Sequence, residues 1–175
     1  MSNMFFSDSR RGNFKITSGN RSNWNNEKCK ADRKLGDATE RYFLPILNNW
    51  FNTKFDIDKS GWRVFDLIDS RNKIAVEIKT RRCKSDKFHH TMIGESKWKE
   101  SRKLGLKGYK TYLFIKFTDC IKFMQFPVML QDGMFIKEGG CYHRGRPELK
   151  NHLYIPMEYF EDFRDYPNII DFLEN

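Results

Sequence analysis

Three ionisable side chains occupy positions where strands would ordinarily bury apolar ones. Between Val64 and Arg82 the chain reads V-F-D-L-I-D-S-R-N-K-I-A-V-E-I-K-T-R-R. Phe65 and Leu67 flank Asp66, while Ile74, Val76 and Ile78 alternate with Ala75, Glu77 and Lys79, so each run has an apolar face and a charged one. Closing the hairpin with a two-residue loop at Arg71 and Asn72, or with a four-residue loop around them, pairs residues whose numbers sum to 143. That register sets Asp66 across from Glu77 with Cβ atoms about 5 Å apart, and places Lys79 about 6.6 Å farther along its strand. Phe65, Leu67, Ile74, Val76 and Ile78 then share the core side, and a slip of one residue would bury the charges instead. Two carboxylates this close repel unless a cation lies between them. Hard oxygen donors on two rigid strands suit Mg2+, with Mn2+ able to substitute, and a neighbouring lysine can orient or polarise water there.

Elements on either side must hold this group in place. From Asp32 to Phe51 the pattern is helical, with Phe43, Leu44, Ile46, Leu47, Trp50 and Phe51 forming an apolar stripe. Glu40 lies on that stripe and should face the sheet, a costly position for a carboxylate without a partner. Asp37-Ala38-Thr39-Glu40 also reads as a capping box, in which Glu40 would only return a hydrogen bond to the helix start. Asp56 and Asp58 read as a solvated strand edge. Asp69, beside the turn, is expected to stabilise the loop and is the second choice for a metal-holding aspartate.

Beyond Lys79 the chain turns basic. Residues 79–116 carry a net charge of +9, equal to that of the whole chain. Arg81, Arg82, Lys84 and Lys87 come first, and a helix expected from Glu95 to Leu104, closed by Gly105, adds Lys97, Lys99, Arg102 and Lys103. Such a belt beside a metal site is a candidate phosphate track. His89 and His90 read as loop residues, with help in protonating a leaving oxygen as the other reading. Thr111–Phe117 and Ile121–Phe126 read as strands joined by a turn, Asp132-Gly133 as a further hairpin ended by Gly139-Gly140, and Leu153–Pro156 as a short strand.

The hairpin motif resembles that of a known family. Asp66, ten intervening residues, then Glu77-Ile78-Lys79 on the second strand is similar to the core motif of the PD-(D/E)XK nuclease superfamily; Phe65 stands where a proline often precedes the aspartate. The resemblance covers residues 34–126. It implies an α/β fold, a restriction-endonuclease-like αβββαβ core with a mixed central sheet flanked by helices. It further implies a divalent-metal-dependent DNA endonuclease that hydrolyses phosphodiester bonds. Asp66, Glu77, the main-chain carbonyl of Ile78 and Glu40 would hold Mg2+, and Lys79 would act on the attacking water. The rival readings are a catalytically silent nucleic-acid-binding module on the same fold, and a structure-specific junction nuclease or an RNA nuclease.

The remaining expectations follow from composition. Residues 1–30 are expected to be a basic arm, 31–126 the nuclease core, and 127–175 an extension packed on it. Cys29, Cys83, Cys120 and Cys141 are scattered without C-x-x-C spacing, which argues against zinc and against a disulfide framework. No apolar run reaches membrane-spanning length and no signal-peptide pattern follows Met1, so an intracellular, non-membrane protein is expected, and the basic belt with the resemblance implies double-stranded DNA as its partner. Association into a homodimer is left open.

Overall fold

The computed structural model describes residues 21–57, 64–141 and 148–163. Arg10, Arg11 and Lys15 of the expected basic arm, and Asp58, lie outside them. A long helix, α1 (Arg21–Trp50), leads through a two-residue strand, β1 (Asp56–Ile57), into β2 (Leu67–Asp69) and β3 (Ile74–Thr80). Next come β4 (His90–Gly94), α2 (Glu95–Leu106), β5 (Lys110–Lys116) and β6 (Ile121–Gln125). The C-terminal part adds β7 (Phe135–Cys141), β8 (Glu148–Pro156), a short 3-10 turn and β9 (Glu161–Asp162).

These strands form two sheets, a six-stranded one in the order β1-β2-β3-β5-β6-β9 and a three-stranded one in the order β4-β8-β7. Strands β3 and β5 are parallel and the other neighbours antiparallel. A parallel pair needs a crossover, which here is β4 followed by α2, and the crossover covers one face of the sheet. The opposite face packs on α1. There Phe43, Ile46 and Leu47 meet Leu67, Val76, Ile78 and Phe114, while on the crossover side Ala75, Leu113 and Ile115 meet Trp98, Ile93, Leu153 and Ile155. Residues 75–78 are consequently all buried, so Glu77, on the charged face of the hairpin, lies inside the protein.

The hairpin register agrees with the sum of 143, since Leu67 opposes Val76, Ile68 opposes Ala75 and Asp69 opposes Ile74 across a four-residue loop. One part of the expectation is corrected. Phe65 packs with Ala75 on the crossover side instead of with Leu67 and Ile78, because the chain bends over residues 64–66 and the alternation breaks there. Helix α1 also begins eleven residues earlier than expected, inside the supposed arm. Once its apolar half is docked, each further turn costs little, because only nucleation is unfavourable.

Three further expectations shift. Helix α2 runs through Gly105 to Leu106. Gly139 and Gly140 lie within β7, where a Cβ on Gly139 would come within 3.3 Å of the Tyr154 hydroxyl, so the missing side chain admits the neighbouring strand. Asp132-Gly133 makes a turn leading into β7, with Gly133 at φ +70°, but the strand after it pairs with β8 and leaves β6 to β9. The C-terminal segment thus belongs to both sheets. Among the described residues no helix is long and apolar enough to cross a membrane.

Candidate active site

Asp66 stands where β2 has parted from β3, and its side chain continues the pairing that the backbone gives up. Its Oδ2 accepts the Ile78 N–H at 2.7 Å, which fixes the carboxylate against β3. Glu77 projects from β3 toward the crossover and is 0% exposed. Both its oxygens contact ammonium groups: Lys79 is ion-paired with Oε1, and Lys97 bonds Oε2 at 2.5 Å while also donating to the Val64 carbonyl. The sequence placed Lys97 on the outward belt. The structure turns it inward from the first turn of α2, onto the carboxylate that a buried sheet face would otherwise strand.

Glu40 reaches the same end of β3 from α1. The helix is pinned there by Thr80, whose hydroxyl donates to the Thr39 hydroxyl at 2.9 Å, and Thr39 in turn donates to the Leu35 carbonyl. Since α1 starts at Arg21, Asp37 to Glu40 lie in its interior and make no cap, which removes the alternative role for Glu40. Half-buried, and close enough to feel Asp66, Asp37 and Glu77, its carboxyl is pushed up from the ordinary 4.5 to about 7. Burial is the largest cause and the neighbouring carboxylates add to it, against the pull of Lys79.

The other charges respond to the same burial. Glu77 is pushed above its ordinary value by desolvation, opposed by Lys79 and Lys97 and reinforced by Asp66. For Lys79, burial works to strip the proton, but the Glu77 and Asp66 carboxylates outweigh it and hold the ammonium above its ordinary value. Lys79 therefore stays cationic while these carboxylates are charged.

Asp69 belongs to the turn. Its carboxylate accepts the Thr53 hydroxyl, the Arg71 and Asn72 N–H groups, and the Asn72 amide. These bonds, that of Thr53 first, hold it below the usual carboxylate range and leave it committed to the loop. Asp56 lies in the edge strand β1. His89 is an exposed loop residue, and His90 begins β4, its ring edge-on to Phe135 at 5.4 Å.

Among the described residues no three acidic, histidine or cysteine side chains are grouped to hold a metal ion as they stand. The donor chemistry nevertheless fits a hard divalent cation. Asp66, Glu77 and Glu40 offer oxygen alone, and Glu77 Oε1 is buried without a hydrogen bond, its contact with Lys79 being an ion pair of poor hydrogen-bond geometry.

Around this centre the basic residues differ in their freedom. Lys84 and Lys87 are exposed, with Lys87 over the Phe88 ring. Arg82 bonds Asp32 at 2.8 Å, Lys99 bonds Glu95 and Lys103 bonds Glu100. Such exposed pairs are worth about 0.2–1 kcal/mol and yield readily to a phosphate. Arg102 lies against the Trp98 ring. Arg81 is drawn inward and donates to the Met92 carbonyl at 2.6 Å.

No curated protein matches the chain. A family model described as "Phage putative PDDEXK endonuclease" matches residues 29–163. The matched span takes in most of α1, both sheets, and Asp66, Glu77 and Lys79 alike. The architecture is α/β and restriction-endonuclease-like, and on that match the chain belongs to the phage putative PDDEXK endonuclease family.

Proposed function

We propose that the protein is a divalent-metal-dependent endonuclease that hydrolyses phosphodiester bonds in DNA. The observation that carries this reading is the meeting of Asp66, Glu77 and Lys79 at one end of β3, with Asp66 bonded to the Ile78 N–H and Lys79 paired with Glu77. Asp66, Glu77 and Glu40, with the Ile78 carbonyl, are the oxygens that would hold Mg2+ or Mn2+. When bound, the metal would supply Lewis-acid stabilisation to the charge that develops on the scissile phosphate.

The chain's own residues do the rest. Lys79, kept as an ammonium by its carboxylate neighbours, orients the attacking water and offsets negative charge in the transition state; in this form it is not the base. Glu40, its carboxyl raised to about 7 while no cation offsets the neighbouring carboxylates, would release that proton on joining the metal site. Lys97 holds Glu77 in place and balances its buried charge. The exposed cations Arg82, Lys84, Lys87, Lys99, Arg102 and Lys103, with Arg81 at the strand end, line the approach for a duplex backbone.

A catalytically silent binder on the same fold is the second reading, favoured by the two lysines that already neutralise Glu77. Incubating the protein with plasmid, single-stranded, branched and RNA substrates, in Mg2+, Mn2+ or EDTA, separates the two. Cleavage of DNA that EDTA stops supports the nuclease; tight binding without cleavage in every metal supports the binder.

A further inference from the structure

Past the end of β3, reached by Arg81 two residues on from Lys79, lies a cavity that the hydrolytic chemistry does not use. It has a volume of about 360 Å³ and is walled by the loop after β3, by β4 and by β8. Its lining is largely apolar and aromatic, with Phe88, Met92, Phe117 and Tyr154 prominent. Phe88 is 60% exposed and Met92 45% exposed, so two large apolar side chains at the cavity are left in water. Tyr154 is held rigidly, its ring stacked on Phe135 at 4.8 Å. The volume is at the small end of the range for pockets that take small organic ligands, about 300–1,000 Å³.

Arg81 supplies the polar feature. Its backbone N–H bonds the Lys116 carbonyl at 2.8 Å and so extends the β3–β5 ladder by one residue. Its side chain therefore leaves the strand on the same side as Lys79, about 6.6 Å farther along. The side chain is partly buried, and no carboxylate pairs with it among the described residues; the Met92 carbonyl is the acceptor it has. Five N–H donors with one neutral acceptor leave a partly desolvated cation able to take an anion. Burial accordingly pulls its pKa below the ordinary arginine value. Lys84, exposed at the cavity, adds a second positive charge.

An apolar aromatic slot lined at one side by an arginine with no carboxylate partner among the described residues fits a ligand that joins a flat ring to an anion. We infer that the cavity receives one unpaired nucleotide of the DNA strand being cut, its base against Phe88 and Tyr154 and its phosphate on Arg81. This rests on the nuclease reading and deepens it, because it makes DNA with an unpaired base beside the scissile bond the preferred substrate. A paired base must first be unstacked, and one that is already free avoids that cost. Stacking on an aromatic side chain then contributes roughly 5- to 150-fold in affinity.

The test uses wild type and Phe88→Ala in EDTA, which prevents turnover, with a matched duplex and the same duplex carrying one extra unpaired nucleotide. Phe88 is exposed, so its loss does not threaten folding. Wild type should bind the bulged duplex at least about 5-fold more tightly, and Phe88→Ala should bring the ratio toward one. With 2-aminopurine as the unpaired base, its fluorescence should change on binding wild type differently from its change on binding Phe88→Ala. A ratio of one for wild type, or a ratio and fluorescence that Phe88→Ala leaves unchanged, would overturn the inference. If the matched duplex is still cleaved with Mg2+, that failure is the pocket's alone; if no DNA is bound or cleaved, the nuclease reading fails with it.

Discussion

Replacing Lys97 with alanine should destabilise the metal-free protein by about 2–3 kcal/mol, although the sequence sets the residue in the basic belt of the candidate phosphate track. Glu77 is 0% exposed, and Lys97 lies 2.5 Å from one of its oxygens. Removing one partner of a buried ion pair costs about 3–5 kcal/mol, because the other charge is left unpaired away from water. Two features reduce that figure: Lys79 stays in contact with the second oxygen, and the Lys97 side chain is itself 23% exposed, so water can enter behind it. Urea unfolding in EDTA near pH 7.5 reads the loss directly. The double variant Glu77→Gln, Lys97→Ala should be more stable than the sum of the single losses by about 1 kcal/mol or more, since a neutral amide needs no counter-charge. Mg2+ should restore more stability to Lys97→Ala than it adds to wild type, because an uncompensated carboxylate binds a cation more tightly. Loss of a phosphate contact would instead lower the log-log salt slope of DNA binding by about 0.9. A stability loss below about 0.5 kcal/mol together with that change of slope would refute the inward placement and its energetics.

Asp66→Ala should abolish metal-dependent cleavage while Asp69→Ala should leave the chemistry largely intact and lower Tm. Because Asp69 is held below the usual carboxylate range, its contribution to stability is present above that range and is lost as pH falls through its folded value, which acid-unfolding curves of wild type and Asp69→Ala would show. For Glu40 the sign is opposite. A carboxyl raised from 4.5 to about 7 keeps its proton in the folded state, so the metal-free protein should lose stability as pH rises between those values, and Glu40→Gln should remove that loss. A carboxyl titration by NMR that finds Glu40 near its ordinary value would contradict this.

Some of the site was open to reading in the sequence because its cause is local. The hairpin register follows from a side-chain period of two, so the alternation of Ile74, Val76 and Ile78 with Glu77 and Lys79 was enough to pair Leu67 with Val76. Phe65 escaped that rule because the chain bends just where Asp66 leaves the ladder. The burial of Glu77 was not legible, since the elements that cover it, β4 and α2, are held by β8 some sixty residues away. His90 to Gly94 carries too little alternation to declare a strand before its partner is known. Lys97 did leave a signal: it stands in the first turn of a helix, where the macrodipole disfavours a cation, next to the buried Trp98. A lysine there calls for a carboxylate, and Glu77 is the one it meets. Glu40 is half-buried and near enough to Asp66, Glu77 and Lys79 to feel their charge, and the capping alternative fails because polar residues before Asp32 continue the helix.

Single-turnover cleavage of DNA by wild type and Lys79→Ala, in Mg2+ and in EDTA, with a binding titration on the same substrate, tests the central claim most directly. Wild type should cleave in Mg2+ and not in EDTA. Lys79→Ala should bind with nearly unchanged affinity, since one cation among many in the belt is lost, yet cleave about 100-fold more slowly or worse, as expected when preorganised electrostatic help is removed. Lys79→Arg should not recover the rate, because a planar guanidinium cannot take the place of the compact ammonium against Glu77. Cleavage by Lys79→Ala at the wild-type rate, or wild-type cleavage undiminished in EDTA, would place the chemistry elsewhere on the protein.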